Sequence, residues 1–94
     1  MDLDEGAKEK YHSGISVIEA TLGSTHTEVA LAKHNYAILL REMGDHAASR
    51  RYYADASDAY RLHLPHYAVR LSSALNGLGK VLREQGAYLS LIHI

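Results

Sequence analysis

The chain has seven histidines, and His63 and His66 are the pair whose spacing comes closest to chemistry. Two ligands three residues apart can begin a metal site, but Pro65 stands between them and interrupts regular helix. No Asp, Glu or Cys in the adjoining sequence completes the three or four ligands such a site needs. They are expected to be exposed loop histidines, and no metal ligand is assigned. Gly77-Leu78-Gly79-Lys80 has the ending of a phosphate-binding loop. The full motif needs a glycine five residues before Gly79 and Ser or Thr after Lys80, where this chain has Ala74 and Val81. Small residues that let two helices approach closely are the better reading. Ser and His are present, but nothing holds a nucleophile against a base and an acid. Asp55 and Asp58 lie about one helical turn apart and read as a solvated face. Arg41, Arg50, Arg51, Arg61, Arg70 and Arg83 lack the interleaved aromatics of a nucleic-acid module. No catalytic or cofactor-binding residue is assigned, and the expectation is a protein that is not an enzyme.

One polar stripe has the chemistry of recognition. His34, Ile38 and Arg41 follow one helical face, and Asn76, Lys80 and Arg83 repeat that spacing 42 residues later. Asparagine both donates to and accepts from a peptide backbone. Arg41, Lys80 and Arg83 favour acidic partners.

Composition bounds what can position these residues. Ninety-four residues make at most one small domain, and an apolar share of 47% suffices for a core. Cysteine is absent, so disulfides and thiolate sites are excluded, which fits a reducing, cytoplasmic setting. The net charge of −1 offers no basic excess for nucleic acid. That charge is uneven. Residues 1–28 carry six acids against two bases, a balance of −4, and residues 29–94 carry five against eight, a balance of +3. No apolar run reaches the length of a membrane span, and the acidic N-terminus lacks the features of a signal peptide.

A 42-residue offset organises the chain. It aligns Leu40-Arg41-Glu42 with Leu82-Arg83-Glu84, Gly44 with Gly86, Ala32 with Ala74, Tyr11 with Tyr53, and Leu22 with Leu64. Apolar spacings of three and four predict four helices on that period. The first, over 3–22, faces inward through Leu3, Ala7, Tyr11, Ile15, Ile18 and Leu22, and Gly23 ends it. Thr25 and Glu28 have capping-box spacing for the second, whose inner face is Val29, Ala32, Tyr36, Leu39, Leu40 and Met43. Gly44 ends that helix and Asp45 caps the third, with Ala48, Tyr52, Ala56, Ala59 and Tyr60 inward, to about Leu62. Pro65 breaks the chain, and a fourth helix over 67–85 is expected to bury Leu71, Leu75, Leu78 and Leu82, with Gly86 as its end. Helices joined by such short links pack antiparallel.

The period and motif resemble tetratricopeptide repeats of the 42-residue kinesin light chain and nephrocystin-like type. The residues that carry the likeness are Leu22-Gly23-Ser24-Thr25-His26-Thr27-Glu28-Val29-Ala30, Asn35-Tyr36-Ala37-Ile38-Leu39 with Gly44, and Tyr53-Ala54-Asp55-Ala56. Asn76-Gly77-Leu78-Gly79 and Gly86-Ala87-Tyr88 carry it in the second copy. Thr27 stands where the family has proline, Ser49 where it prefers alanine, and Gly14 where its second-helix motif has alanine. The resemblance covers residues 3–88. It implies an all-α solenoid of antiparallel helix pairs: 3–22 a second helix, 25–62 a full repeat, and 67–85 the first helix of the next. It also implies that both ends are cut, and that first helices line a concave groove. His34, Asn35, Ile38, Arg41, Asn76, Lys80 and Arg83 are then the candidates for peptide binding, with Asn35 matching the family asparagine. Residues 89–94, Leu-Ser-Leu-Ile-His-Ile, resemble the translation of a transposase end sequence used in library preparation, and are expected to be an adapter-derived addition.

The expected function is a protein-interaction scaffold that binds a peptide or protein segment, acidic by preference, with no cofactor, nucleic acid or membrane partner. The alternatives are a regulatory repeat region of a larger enzyme or signalling protein, and a structural spacer. The uncovered face of the fourth helix, Leu71 to Leu82, is expected to promote self-association.

Overall fold

Two glycines set the sharpest turns of the chain. Gly23 and Gly44 have φ of +95° and +87°, the left-handed region where a Cβ is costly. In the computed structural model, residues 3–92 are described and form four helices: α1 (Leu3–Leu22), α2 (Thr27–Glu42), α3 (His46–Arg61) and α4 (Ala68–Ile92). No strand occurs among them. The Gly23 amide donates to the Glu19 carbonyl at 2.9 Å and closes α1. After α2, the Gly44 amide donates to Arg41 and the Asp45 amide to Leu40, the paired bonds of a Schellman motif. Asp45 then caps α3, its carboxylate accepting from the Ala48 amide at 3.3 Å.

Two boundaries differ from expectation. The cap of α2 is His26, whose Nδ1 accepts from the Glu28 amide at 3.1 Å, and not Thr25. Thr25 is held otherwise, because its carbonyl is 2.9 Å from Nε2 of His63 in the α3–α4 link. Gly86 does not end α4, which continues to Ile92. After Gly44 the chain finds Asp45, a cap for a new helix; at the equivalent place after Gly86 it finds Ala87, which favours continuing.

Each helix packs on its neighbours in order, α1 on α2, α2 on α3, α3 on α4, and α2 also touches α4. The main cluster joins Ala30 and Ala37 of α2, Tyr53, Ala56, Ala59 and Tyr60 of α3, and Ala74 and Val81 of α4. A second cluster joins Ile15 of α1 to Tyr36 and Leu40. Tyrosine does the work of the absent Phe and Trp. Tyr11 stacks on Tyr36 at 5.3 Å, Tyr36 tilts on Tyr52 at 4.8 Å, and Tyr60 stacks on Tyr67 at 5.9 Å. Ser49 is buried, and its hydroxyl donates to the Ala37 carbonyl at 2.7 Å. That bond ties α3 to α2 and satisfies the buried group.

The inner face of α4 is not the leucine row predicted. Leu71 and Leu78 pack on the core, but Leu75 and Leu82 are 39% and 46% exposed. Ala74, Gly77 and Val81 are buried instead. α3 covers the side of the helix that carries 74, 77 and 81, with 71 and 78 at its margin, and Leu75 and Leu82 lie beyond that margin. Tyr11 and Leu22 of α1 are likewise exposed, while Ile15 carries the burial. Leu3 lies outside the residues whose side chains are described.

Candidate interaction surface

The two helices that share the polar stripe, α2 and α4, are joined by one charged contact. Arg41 of α2 donates to Glu84 of α4 through Nε at 2.9 Å and through Nη2 at 2.6 Å, both to Oε1. Nε2 of His46, in the first turn of α3, lies 3.0 Å from the other carboxylate oxygen. Three helices therefore meet on one carboxylate. The Arg41 hydrogen bond, and then that of His46, hold the Glu84 carboxyl below the usual carboxylate range, and Arg41 is raised in turn.

The stripe divides into residues used internally and residues left open. His34 is 8% exposed, at the junction of α2 with α3. Its Nδ1 shares a hydrogen bond of 3.0 Å with the Tyr60 hydroxyl, and its ring stands edge-on to Tyr53 and Tyr60. Burial lowers its pKa below the ordinary 6.5, and the positive charge of Arg70 adds to that. Arg41 is committed to Glu84. Asn35 and Ile38 on α2, and Asn76, Lys80 and Arg83 on α4, are exposed. The open set thus holds two side-chain amides, two cations and one aliphatic group. Such a set can bind backbone amides and carboxylates. It brings together no nucleophile and base.

The other sequence candidates sit in structural roles. Gly77 faces Tyr53, whose ring occupies the space a Cβ would need, so the glycine permits close approach of α4 to α3. His63 bonds Thr25 and stands edge-on to Tyr67, while His66 is exposed. Asp58 pairs with Arg61 at 3.0 Å, and Asp55 lies 3.8 Å from Lys33, which also meets Glu19 at 2.9 Å.

Glu84 was not among the residues the sequence singled out. Its signal is the repeated Arg-Glu step: with a 42-residue period, the arginine of one copy lies one repeat and one residue from the next glutamate. Among the described residues, no helix is long and apolar enough to cross a membrane. Comparison with protein-family models, with curated proteins and with solved structures found no match to this chain.

Proposed function

We propose that this chain is a segment of a protein-binding helical-repeat scaffold of the tetratricopeptide type, which takes an extended, acidic peptide along α2 and α4. The observation that carries the reading is the Arg41–Glu84 joint. It locks two helices one period apart and leaves Asn35, Ile38, Asn76, Lys80 and Arg83 exposed on them. Support comes also from the 42-residue offset: shifted by 42, α1 spans 45–64 and contains α3, and α2 spans 69–84 and falls within α4. A cytoplasmic setting belongs to the proposal through the lack of cysteine. The asparagines hold peptide backbone, Ile38 meets one apolar side chain, and the cations steer acidic ones.

Fluorescence anisotropy tests this with labelled acidic peptides and their Gln/Asn counterparts. Acidic peptides are expected to bind more tightly, with the preference fading as salt rises. Lys80→Glu is expected to abolish the preference while circular dichroism stays unchanged. Equal binding of acidic and neutral peptides, or indifference to Lys80→Glu, sinks the reading.

A further inference from the structure

Of the described histidines, His34 alone is buried. An imidazole has two nitrogens, and the partner of one fixes what the other offers. Nδ1 lies 3.0 Å from the hydroxyl of Tyr60, a side chain with no solvent exposure. The hydroxyl hydrogen needs an acceptor there, because a buried donor left unmet is costly. Arg70 approaches the same hydroxyl from α4, but a guanidinium only donates. Nδ1 is therefore the acceptor, and the hydrogen of the neutral ring sits on Nε2.

Nε2 is the nitrogen left over. It has no partner within the chain, yet no buried side-chain nitrogen or oxygen among the described residues is left unpaired. Nε2 thus opens to the surface. It does so one helical turn before the exposed Ile38 of α2, with the exposed Arg70 of α4 near enough for its charge to act on the ring.

We infer that Nε2–H of His34 donates to a side-chain carboxylate of the peptide held along α2 and α4, with Arg70 as the neighbouring cation and Tyr60 as the positioning residue behind the ring. This rests on the peptide-binding reading and adds the place where one acidic side chain ends. Reach argues for a side chain: with 8% of His34 exposed, the acceptor must be carried inward on a stem, which Asp and Glu have and a backbone carbonyl lacks. Charge argues for a carboxylate: Arg70 attracts an anion, and a hydrogen bond to an ionised acceptor is stronger than one to a neutral acceptor. A basic side chain meets an N–H donor and a guanidinium, and is rejected. The donor is also set before the peptide arrives. Tyr60 fixes the tautomer, and Tyr53 and Tyr60 stand edge-on to the ring, so little freedom is lost on binding.

Two substitutions of His34 separate the donor from the packing. His34→Asn keeps an acceptor for Tyr60 but carries no donor outward, whereas His34→Gln places an amide N–H where Nε2–H stood. In fluorescence anisotropy, His34→Asn is expected to weaken an acidic peptide roughly tenfold, the loss of one hydrogen bond to a charged group, and its Gln/Asn counterpart much less. His34→Gln is expected to recover most of the affinity, and circular dichroism checks that both variants are folded. Long-range proton–nitrogen NMR spectra of the isotope-labelled wild type, at about pH 7.5, supply the readout that packing alone does not move. They are expected to show the hydrogen on Nε2, and a shift of that resonance on adding the acidic peptide but not the neutral one. Tyr60→Phe is expected to let the Nδ1–H tautomer appear and to weaken the acidic peptide. A wild type without preference for acidic peptides overturns the peptide-binding reading and this inference together. A preference that survives in folded His34→Asn, a hydrogen found on Nδ1, or an Nε2–H resonance indifferent to bound acidic peptide overturns this inference alone.

Discussion

At the residue scale, Gly77 and Tyr53 make the contact least tolerant of change. A methyl at 77 meets the Tyr53 ring, which is itself 3% exposed and has little room to move. Replacing a mid-helix glycine by alanine ordinarily gains about 1 kcal/mol. Overpacking a filled core costs about 1–3 kcal/mol. Gly77→Ala is therefore expected to destabilise by about 1 kcal/mol net. Gly86→Ala, where nothing lies within 4 Å, is expected to stabilise by up to about 1 kcal/mol. Urea denaturation of the two variants decides the matter, and equal stabilisation by both refutes the steric account. The sequence made the small residues at 77 and 79 legible as a close approach, but not the partner, because Tyr53 is brought there by another helix. His34 shows the same limit. Its spacing with Ile38 and Arg41 places it on a polar stripe, yet Tyr60, 26 residues on, supplies a hydroxyl that makes burial tolerable.

At the element scale, a glycine turns the chain only where the residues after it accept the turn. Gly44 and Gly86 end the same repeated word, Leu-Arg-Glu-x-Gly, but only Gly44 is followed by an aspartate. Asp45 both caps α3 and meets Lys8 of α1 at 3.3 Å. Asp45→Ala is expected to cost about 1 kcal/mol, mostly from the cap, since a partly exposed ion pair contributes little. Asp45→Asn keeps a capping oxygen and is expected to retain most of that stability. If thermal melts show Asn as damaging as Ala, the cap is not the reason. The four helices and their period were legible because apolar spacing and turn residues agree along the chain. Which leucines of α4 are covered was not, because spacing defines rows on a helix and only the neighbouring helix selects among them.

At the scale of the whole molecule, buried titratable rings bound the pH range of stability. His34 has a folded pKa below the ordinary 6.5. As pH falls through 6.5, the unfolded chain takes up a proton that the folded one still refuses, so stability declines until the lower folded value is reached. Glu84, held below the ordinary 4.5, adds a further loss at more acid pH as it too is protonated. On the alkaline side, burial raises Tyr36, Tyr53 and Tyr60 above the ordinary 10.0. The unfolded chain then ionises first, and stability falls as pH rises through the folded values. Denaturation midpoints are expected to be highest between roughly pH 7 and 10, between the ordinary histidine and tyrosine values. His34→Gln is expected to flatten the decline that sets in as pH falls below the ordinary histidine value of about 6.5. A wild-type slope unchanged in that variant removes His34 as its cause. The tyrosine contacts have one more consequence. The chain has no tryptophan, so its near-ultraviolet absorption and emission belong to tyrosine alone. Tyr11, Tyr36 and Tyr52 form a run of neighbouring rings from α1 through α2 to α3. The molecule therefore carries an intrinsic optical gauge of whether three successive helices are seated together, readable without any label.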